Sequence, residues 1–352
     1  MILTIIVVLF SLVVLTALHE LGHFFFAKKF GVKVEEFGIG YPPRIIGKKV
    51  GETLYSLNLL PFGAFVKIMG EDGGDNNPRS FSQKPIYQRA LILVGGVLMF
   101  WIIAFLIFTL LAGVFGIPTA VPDDLDIEAQ VKVVSVANDS PADQAGIKMG
   151  DTLIKIQEQE IDKIDQVVEF SDSKEELFLS ILRDQKEIQV SLIPREIYPS
   201  DEGAMGIGLV RVADMKTDWY KSPLVGLKIT KEQTINIPKV LFKALIRKIK
   251  GEKVKDVQFV GPIGVGKMLG NALYEGVGSF LMLIAMISIW LALFNIFPIP
   301  ALDGGRLLFL LIEWIRRKPM PQKIEGKVNA GFFILLIILM IFITLKDIIG
   351  LL

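Results

Sequence analysis

The residues best suited to chemistry are His19-Glu20-Leu21-Gly22-His23. Two imidazoles four residues apart share one face of a helix and can bind one Zn²⁺. A glutamate between them then lies beside the metal's water, where it can act as general base. The competing expectation, polar residues capping a buried helix at an accidental spacing, is the weaker one here. Both histidines of the 352-residue chain fall in this pattern, and cysteine is absent. A catalytic zinc takes three protein ligands and keeps one position for water. The third ligand must therefore be a carboxylate, or less often an amide or carbonyl oxygen. Between Glu275 and Arg306 the only ionisable residue is Asp303, in Asn295-Ile296-Phe297-Pro298-Ile299-Pro300-Ala301-Leu302-Asp303-Gly304-Gly305. The prolines end a helix, and the glycines let backbone approach something bulky. A rival role for Asp303 is to N-cap a helix starting at Gly304; it is compatible with ligation but leaves Asn295 unexplained. Glu313, Glu325 and Asp347 sit nearer interfaces or in loops, so Asp303 is the favoured third ligand.

The elements that must position these groups are apolar. Residues 1 to 18 carry no charge, and the hydrophobic stretch from Ile2 to Ala27 ends at Lys28-Lys29. Ionisable residues inside such a stretch are expensive and default to function. A cleaved signal peptide is not expected, because a basic n-region and an A-x-A site are both missing. Three more spans are read at Leu91 to Ile117, Val277 to Phe297 and Ala330 to Leu345, each near or above the length a hydrocarbon core needs. Composition agrees: 52% of residues are hydrophobic and 21% charged, with mean hydropathy +0.52. A net charge of +1 gives no reason to expect nucleic acid.

Four crossings place both termini on one side. The connection from Lys28 to Arg89 carries ten Lys/Arg against six acids, and that from Gly304 to Lys327 six against two. The positive-inside rule makes both cytoplasmic and the termini external. At 1.5 Å rise per residue, His23 then lies roughly 7 Å inside the cytoplasmic end of its helix.

The pair of motifs His19-Glu20-Leu21-Gly22-His23 and Asn295-x-x-Pro298-x-Pro300-x-Leu302-Asp303-Gly304 resembles the site-2 protease family of intramembrane zinc metalloproteases. The nearest group is the bacterial regulated-intramembrane-proteolysis enzymes of the regulator-of-sigma-E protease kind. Further matches are Leu60-Pro61-Phe62-Gly63-Ala64-Phe65-Val66-Lys67, Gly70-Glu71 and Gly261-Pro262-Ile263-Gly264-Val265. The resemblance implies that His19, His23 and Asp303 bind zinc, that Glu20 is the base, and that Asn295 contacts substrate. Arg306 follows the glycines where close relatives often carry histidine.

Thr53 to Leu60 and Ala64 to Ile68 read as two strands joined through Pro61-Phe62-Gly63. The resemblance makes this a membrane-associated β-loop whose edge receives substrate as an added strand, with Phe62, Gly63 and Phe65 as substrate-binding residues. A surface hairpin without that role is the alternative. From Val131 to about Arg211 the chain is soluble and mixed. Residues Val131 to Val134 alternate, and Asp139 to Asp151 then lead through Pro141, Gly146 and Gly150 into Thr152 to Ile156; this run is similar to a circularly permuted bacterial PDZ domain. Its peptide-binding loop is expected at Gly206-Ile207-Gly208-Leu209. Close relatives often carry two such domains, whereas this chain has room for one. From Trp219 to Lys250 there are eight Lys/Arg and one acid. Leu241, Leu245 and Ile249 after Pro238 predict an amphipathic helix on the outer leaflet, the alternative being a helix packed on the PDZ domain.

The expected fold is an α-helical polytopic membrane protein with four transmembrane helices, a membrane-associated β-loop and an inserted α+β PDZ domain. The expected boundaries are 1–120 for the first two spans with the zinc motif and β-loop, 121–212 for the PDZ domain, 213–275 for an interfacial segment and 276–352 for the last two spans. The expected activity is zinc-dependent cleavage of transmembrane segments, after prior trimming by another protease. The substrates expected are proteins such as single-span membrane-bound regulators, within the lipid bilayer and with no nucleic acid partner. The location expected is the bacterial cytoplasmic membrane, with both termini and the PDZ domain outside and the active site near the cytoplasmic face. Two rivals remain: a non-haem iron enzyme, since two histidines and a carboxylate also make that triad, and a non-catalytic PDZ scaffold.

Overall fold

The computed structural model describes residues 2–71, 76–173, 175–183, 186–199, 202–251 and 260–349. The chain forms two compact units, Met1–Thr109 with Pro223–Leu352, and Leu110–Ser222. Helix α1 (Ile2–Lys29) carries its only basic residues in its last turn, where they suit the negative end of the helix dipole. Strands β1 (Val34–Val50) and β2 (Thr53–Ile68) follow. Residues 36–39 of β1 pair with residues 64–67 on one edge and with 54–57 on the other, and 46–49 pair with 54–57 from beyond. The two expected strands are thus arms of one 16-residue element, and they flank β1 rather than forming a hairpin. Gly38, Gly40, Pro42 and Pro43 break the alternation in β1, which is why its strand character escapes the sequence pattern. Glu52 beside the β1–β2 turn accepts from Arg79 and Lys28, each at 2.7 Å, and these cations hold its carboxyl down to about 2. Helix α2 (Ile86–Leu110) then runs into a π-helical turn, Leu111–Phe115.

The second unit contains β3 (Ile117–Ala120), β4 (Gln130–Val136), α3 (Pro141–Gln144), β5 (Thr152–Ile156), β6 (Gln159–Glu160), α4 (Ile164–Ser171), β7 (Leu177–Arg183), β8 (Lys186–Leu192) and β9 (Ile207–Met215). The antiparallel sheet has the order β3-β9-β4-β5-β7-β8, with β6 on β5. Ser140 caps α3 by accepting from the Asp143 N–H at 3.2 Å, and glycines 146 and 150 supply positive φ before β5. Val131, Leu153, Ile156, Val167, Leu179 and Ile181 fill its core. The sheet runs past the expected 121–212 limits, because β3 pairs Ile117–Ala120 with Val212–Met215. This is an inserted α+β domain built on one antiparallel sheet.

The first unit resumes with α5 (Ser222–Ile249), α6 (Pro262–Glu275), α7 (Val277–Ile296), α8 (Asp303–Arg316) and α9 (Gln322–Ile349). Pro238 lies inside α5 and does not begin it. The stripe Gly226, Thr230 and Ile237 is buried and carries the helix through that proline. Part of the expected 213–275 segment, residues 252–259, lies outside the described residues. Helix α6 packs into the apolar core, with Leu269 against Val8, Phe280 and Ile284. Among the described residues four helices are long and apolar enough to cross a membrane: Leu3–Lys29, Ile86–Phe115, Val277–Ile296 and Gln322–Ile349. Leu15, Val97, Phe100, Ile103 and Ala292 join α1, α2 and α7. Exposed apolar side chains such as Leu3, Phe10, Phe333 and Phe342 suit lipid rather than water.

Candidate active site

Helix α1 projects His19 and His23 from one face, and the first turn of α8 brings Asp303 to them. His19 Nε2 and His23 Nε2 are 3.2 Å apart, and Asp303 Oδ2 lies 3.3 Å from the first and 3.4 Å from the second. The His23 Nδ1–H donates to the Ile92 carbonyl at 2.9 Å, which turns the Nε2 lone pair toward the other two atoms. His19 stacks on Phe100 with ring centres 4.4 Å apart. Both imidazoles are buried. Three lone-pair atoms thus converge, and despite its short approaches to both rings Asp303 Oδ2 makes no well-aligned hydrogen bond.

The triangle fits a tetrahedral metal. Ligand atoms about 2.0–2.1 Å from one ion at the tetrahedral angle stand about 3.3–3.4 Å apart. The observed edges of 3.2, 3.3 and 3.4 Å match that spacing. A buried set of two imidazole nitrogens and one carboxylate, with no thiolate, suits zinc chemistry. The capping alternative for Asp303 does not hold. Helix α8 starts at Asp303 itself, its N-cap residue is Leu302, and it has no side-chain cap hydrogen bond. The competing carboxylates are committed elsewhere. Glu313 accepts from Arg89 at 3.1 Å, and Asp347 accepts from the Gly264 N–H at 2.9 Å.

Glu20, on the turn between the histidines, accepts from the Val66 N–H through Oε2 at 3.1 Å. That amide belongs to the 64–68 arm of β2, whose partner in the sheet is β1. The arm therefore turns an outer-edge N–H toward the Glu20 carboxylate. Phe62 is exposed at the bend, and Gly63 has φ 85° there. Phe65 points into the sheet instead, where its ring stacks on Tyr41 and covers Gly38. Asn295 is in the last turn of α7, and its Nδ2 donates to the Leu291 carbonyl at 2.9 Å. In the second unit, Ile207, Gly208 and Leu209 pair with Val136, Ser135 and Val133 of β4. Gly206 has φ 75°, and a Cβ there would meet Ser140 at 2.2 Å.

Sequence reasoning missed the glycines that let helices reach the site. A Cβ on Gly96 would stand 2.2 Å from His23 Nε2 and 2.7 Å from His19 Cε1. A Cβ on Gly22 would meet the Gly95 carbonyl at 2.2 Å. The available signal was the Gly95-Gly96 pair inside a charge-free span, since small residues mark close helix crossings in membranes.

A carboxylate beside a two-histidine, one-aspartate donor triangle, with Glu20 and both histidines on a helix apolar enough to span a bilayer, is the arrangement of a metal-dependent hydrolase. The chain belongs to Peptidase family M50, whose profile matches residues 7–339. A protein of Clostridium perfringens is 36% identical over 352 residues, covering 97% of this chain and 98% of that protein. Zinc metalloprotease RasP of Oceanobacillus iheyensis is 27% identical over 421 residues, covering 95% and 96%. Regulator of sigma-W protease RasP of Bacillus subtilis is 25% identical over 413 residues, covering 94% of each. The solved PDZ domain of the SdrC-like protein of Listeria monocytogenes, 19% identical, covers 24% of this chain and 92% of that one at a TM-score of 0.21.

Proposed function

We propose that this chain is a zinc endopeptidase of a bacterial cytoplasmic membrane that cuts transmembrane segments of other proteins. The observation that carries the reading is the 3.2–3.4 Å triangle of His19, His23 and Asp303 with Glu20 beside it. His19, His23 and Asp303 are the zinc ligands. Bound there, Zn²⁺ supplies Lewis acidity, polarising a carbonyl oxygen and making water a better nucleophile at neutral pH. Glu20 accepts the proton of the attacking water and returns it to the departing amide nitrogen, so that one peptide bond is exchanged for a carboxylate and an amine. The Val66 N–H holds that carboxylate in place. The 64–68 arm, with Phe62, Gly63 and Phe65 around it, receives substrate as an added strand, and Asn295 contacts it. A helical substrate must unwind before its peptide bonds are accessible, and edge pairing stabilises the extended form.

The zinc metalloproteases among the relatives support the metal assignment, and the name regulator of sigma-W protease suits a protease with a regulatory role; the substrates are single-span membrane-bound regulators. The basic connections put the active site near the cytoplasmic face, with the termini and PDZ domain outside. The PDZ domain, through Gly206-Ile207-Gly208-Leu209 or by size alone, restricts entry to proteins already trimmed by another protease.

Glu20→Gln tests the reading. The amide cannot take the water's proton, so cleavage of a model transmembrane substrate should fall by about 10²–10⁴-fold, while bound zinc stays near one equivalent. Near-parental cleavage would sink the assignment, and iron in place of zinc in the purified protein would favour the oxygenase reading.

A further inference from the structure

The segment that delivers Asp303 is held in an unusual conformation from outside itself. Ala301 has φ 75°, a left-handed conformation that a side chain disfavours. The loop around it leaves little slack. A Cβ on Gly304 would stand 1.9 Å from the Phe297 carbonyl, and one on Gly305 2.4 Å from that of Ile299. Ile299 donates to the Phe297 carbonyl and Leu302 to that of Ile299. Pro298 and Pro300 have no N–H. The Ala301 N–H instead leaves the loop and donates to Asn329 Oδ1 of α9 at 3.1 Å.

Helix α9 has no fully buried residue among those described, so its polar ties weigh more in placing it. Two of its polar ties are Asn329 to Ala301 near one end and Asp347 to Gly264 near the other. Asn329 also lines a cavity of about 620 Å³, with Glu71, Arg89, Arg306 and Glu313 on its other walls. We infer that Asn329 is a positioning residue: by accepting from the Ala301 N–H it holds the left-handed turn that sets Asp303 in the donor triangle. A φ change at Ala301 moves Leu302 and Asp303 as a unit, because they lie directly downstream on a tightly folded backbone. Occupancy of the metal site thereby depends on where α9 sits. This rests on the proposed ligand set.

The test measures zinc release from the purified full-length protein to a chromogenic chelator, alongside kcat and KM on a model transmembrane substrate. Asn329→Leu keeps the branched side-chain shape and removes the acceptor. It should release zinc about tenfold more readily, as loss of a group orienting a ligand does, and lower kcat with KM little changed. Adding Ala301→Gly removes the side-chain penalty at positive φ, so the double variant should recover zinc retention. Parental retention in Asn329→Leu overturns the inference. So does a double variant that holds zinc no better than the single one. If Asn329→Leu does not fold, the double variant decides by the same measure. Asp303→Asn, run alongside, tests the ligand set itself: if it keeps zinc, that reading fails whatever Asn329→Leu does.

Discussion

Two enclosed polar clusters in this chain differ in what they leave unmet. Arg211 of β9 is only 1% exposed. Its guanidinium donates to the carbonyls of Asp162, Pro122, Leu125 and Ile127 at 2.7–2.9 Å, so all three nitrogens are bonded. That cluster ties the 122–127 segment and the approach to α4 onto the sheet, and every guanidinium nitrogen has a partner. In the His19, His23 and Asp303 cluster, two imidazole nitrogens and a carboxylate oxygen stand 3.2–3.4 Å from one another, and among the described residues His19 Nδ1 and Asp303 Oδ2 have no hydrogen-bond partner. Buried polar groups are normally satisfied, so convergent acceptors mark a place for a cation. Burial does not separate the two; the hydrogen-bond account does.

The comparison breaks most directly at Asp303. Asp303→Asn should lose most bound zinc and reduce cleavage to background, whereas Glu313→Gln, whose partner is Arg89, should leave metal content unchanged. Equal zinc loss in the two variants would mean that the triangle is not the metal site. Arg211→Met is the opposite case. Four buried carbonyls lose their donor, which costs about 3 kcal/mol and should lower the melting temperature of the inserted domain by roughly 10 °C. Zinc content of the intact membrane unit should stay at the parental level, and a parallel loss of zinc would contradict the division into a closed and an open cluster. The smallest effect is expected from Gly96→Ala. The added methyl reaches to 2.2 Å from His23 Nε2, so the ring must shift, and zinc should be held about tenfold less tightly. Parental retention there would show that the α2 contact does not shape the triangle.

Much of the site was legible before any coordinates. His19, Glu20 and His23 are local, because helix geometry alone puts residues four apart on one face. Asp303 was reached by elimination in a segment nearly free of charge. The inserted α+β domain announced itself through strand alternation and glycine turns. Other parts were not legible for identifiable reasons. Strand β1 hides behind Gly38, Gly40, Pro42 and Pro43, and the arms of β2 look like a hairpin because sequence carries no information on which edge a strand seeks. Pro238 reads as a helix start, yet packing of Gly226, Thr230 and Ile237 carries α5 through it.

From sequence alone, this chain has stretches apolar enough to cross a membrane several times and two histidines with a glutamate between them on one helix face, since hydropathy and helical spacing are properties of contiguous residues. Tertiary structure alone decides that Asp303 meets histidines some 280 residues earlier within 3.4 Å. It also decides that Gly96 clears the space between helices, that Val66 holds Glu20, and that Asn329 reaches Ala301. Each of these is a close approach between segments distant in the chain. Such approaches depend on how helices cross and where loops fold back, which no local pattern encodes.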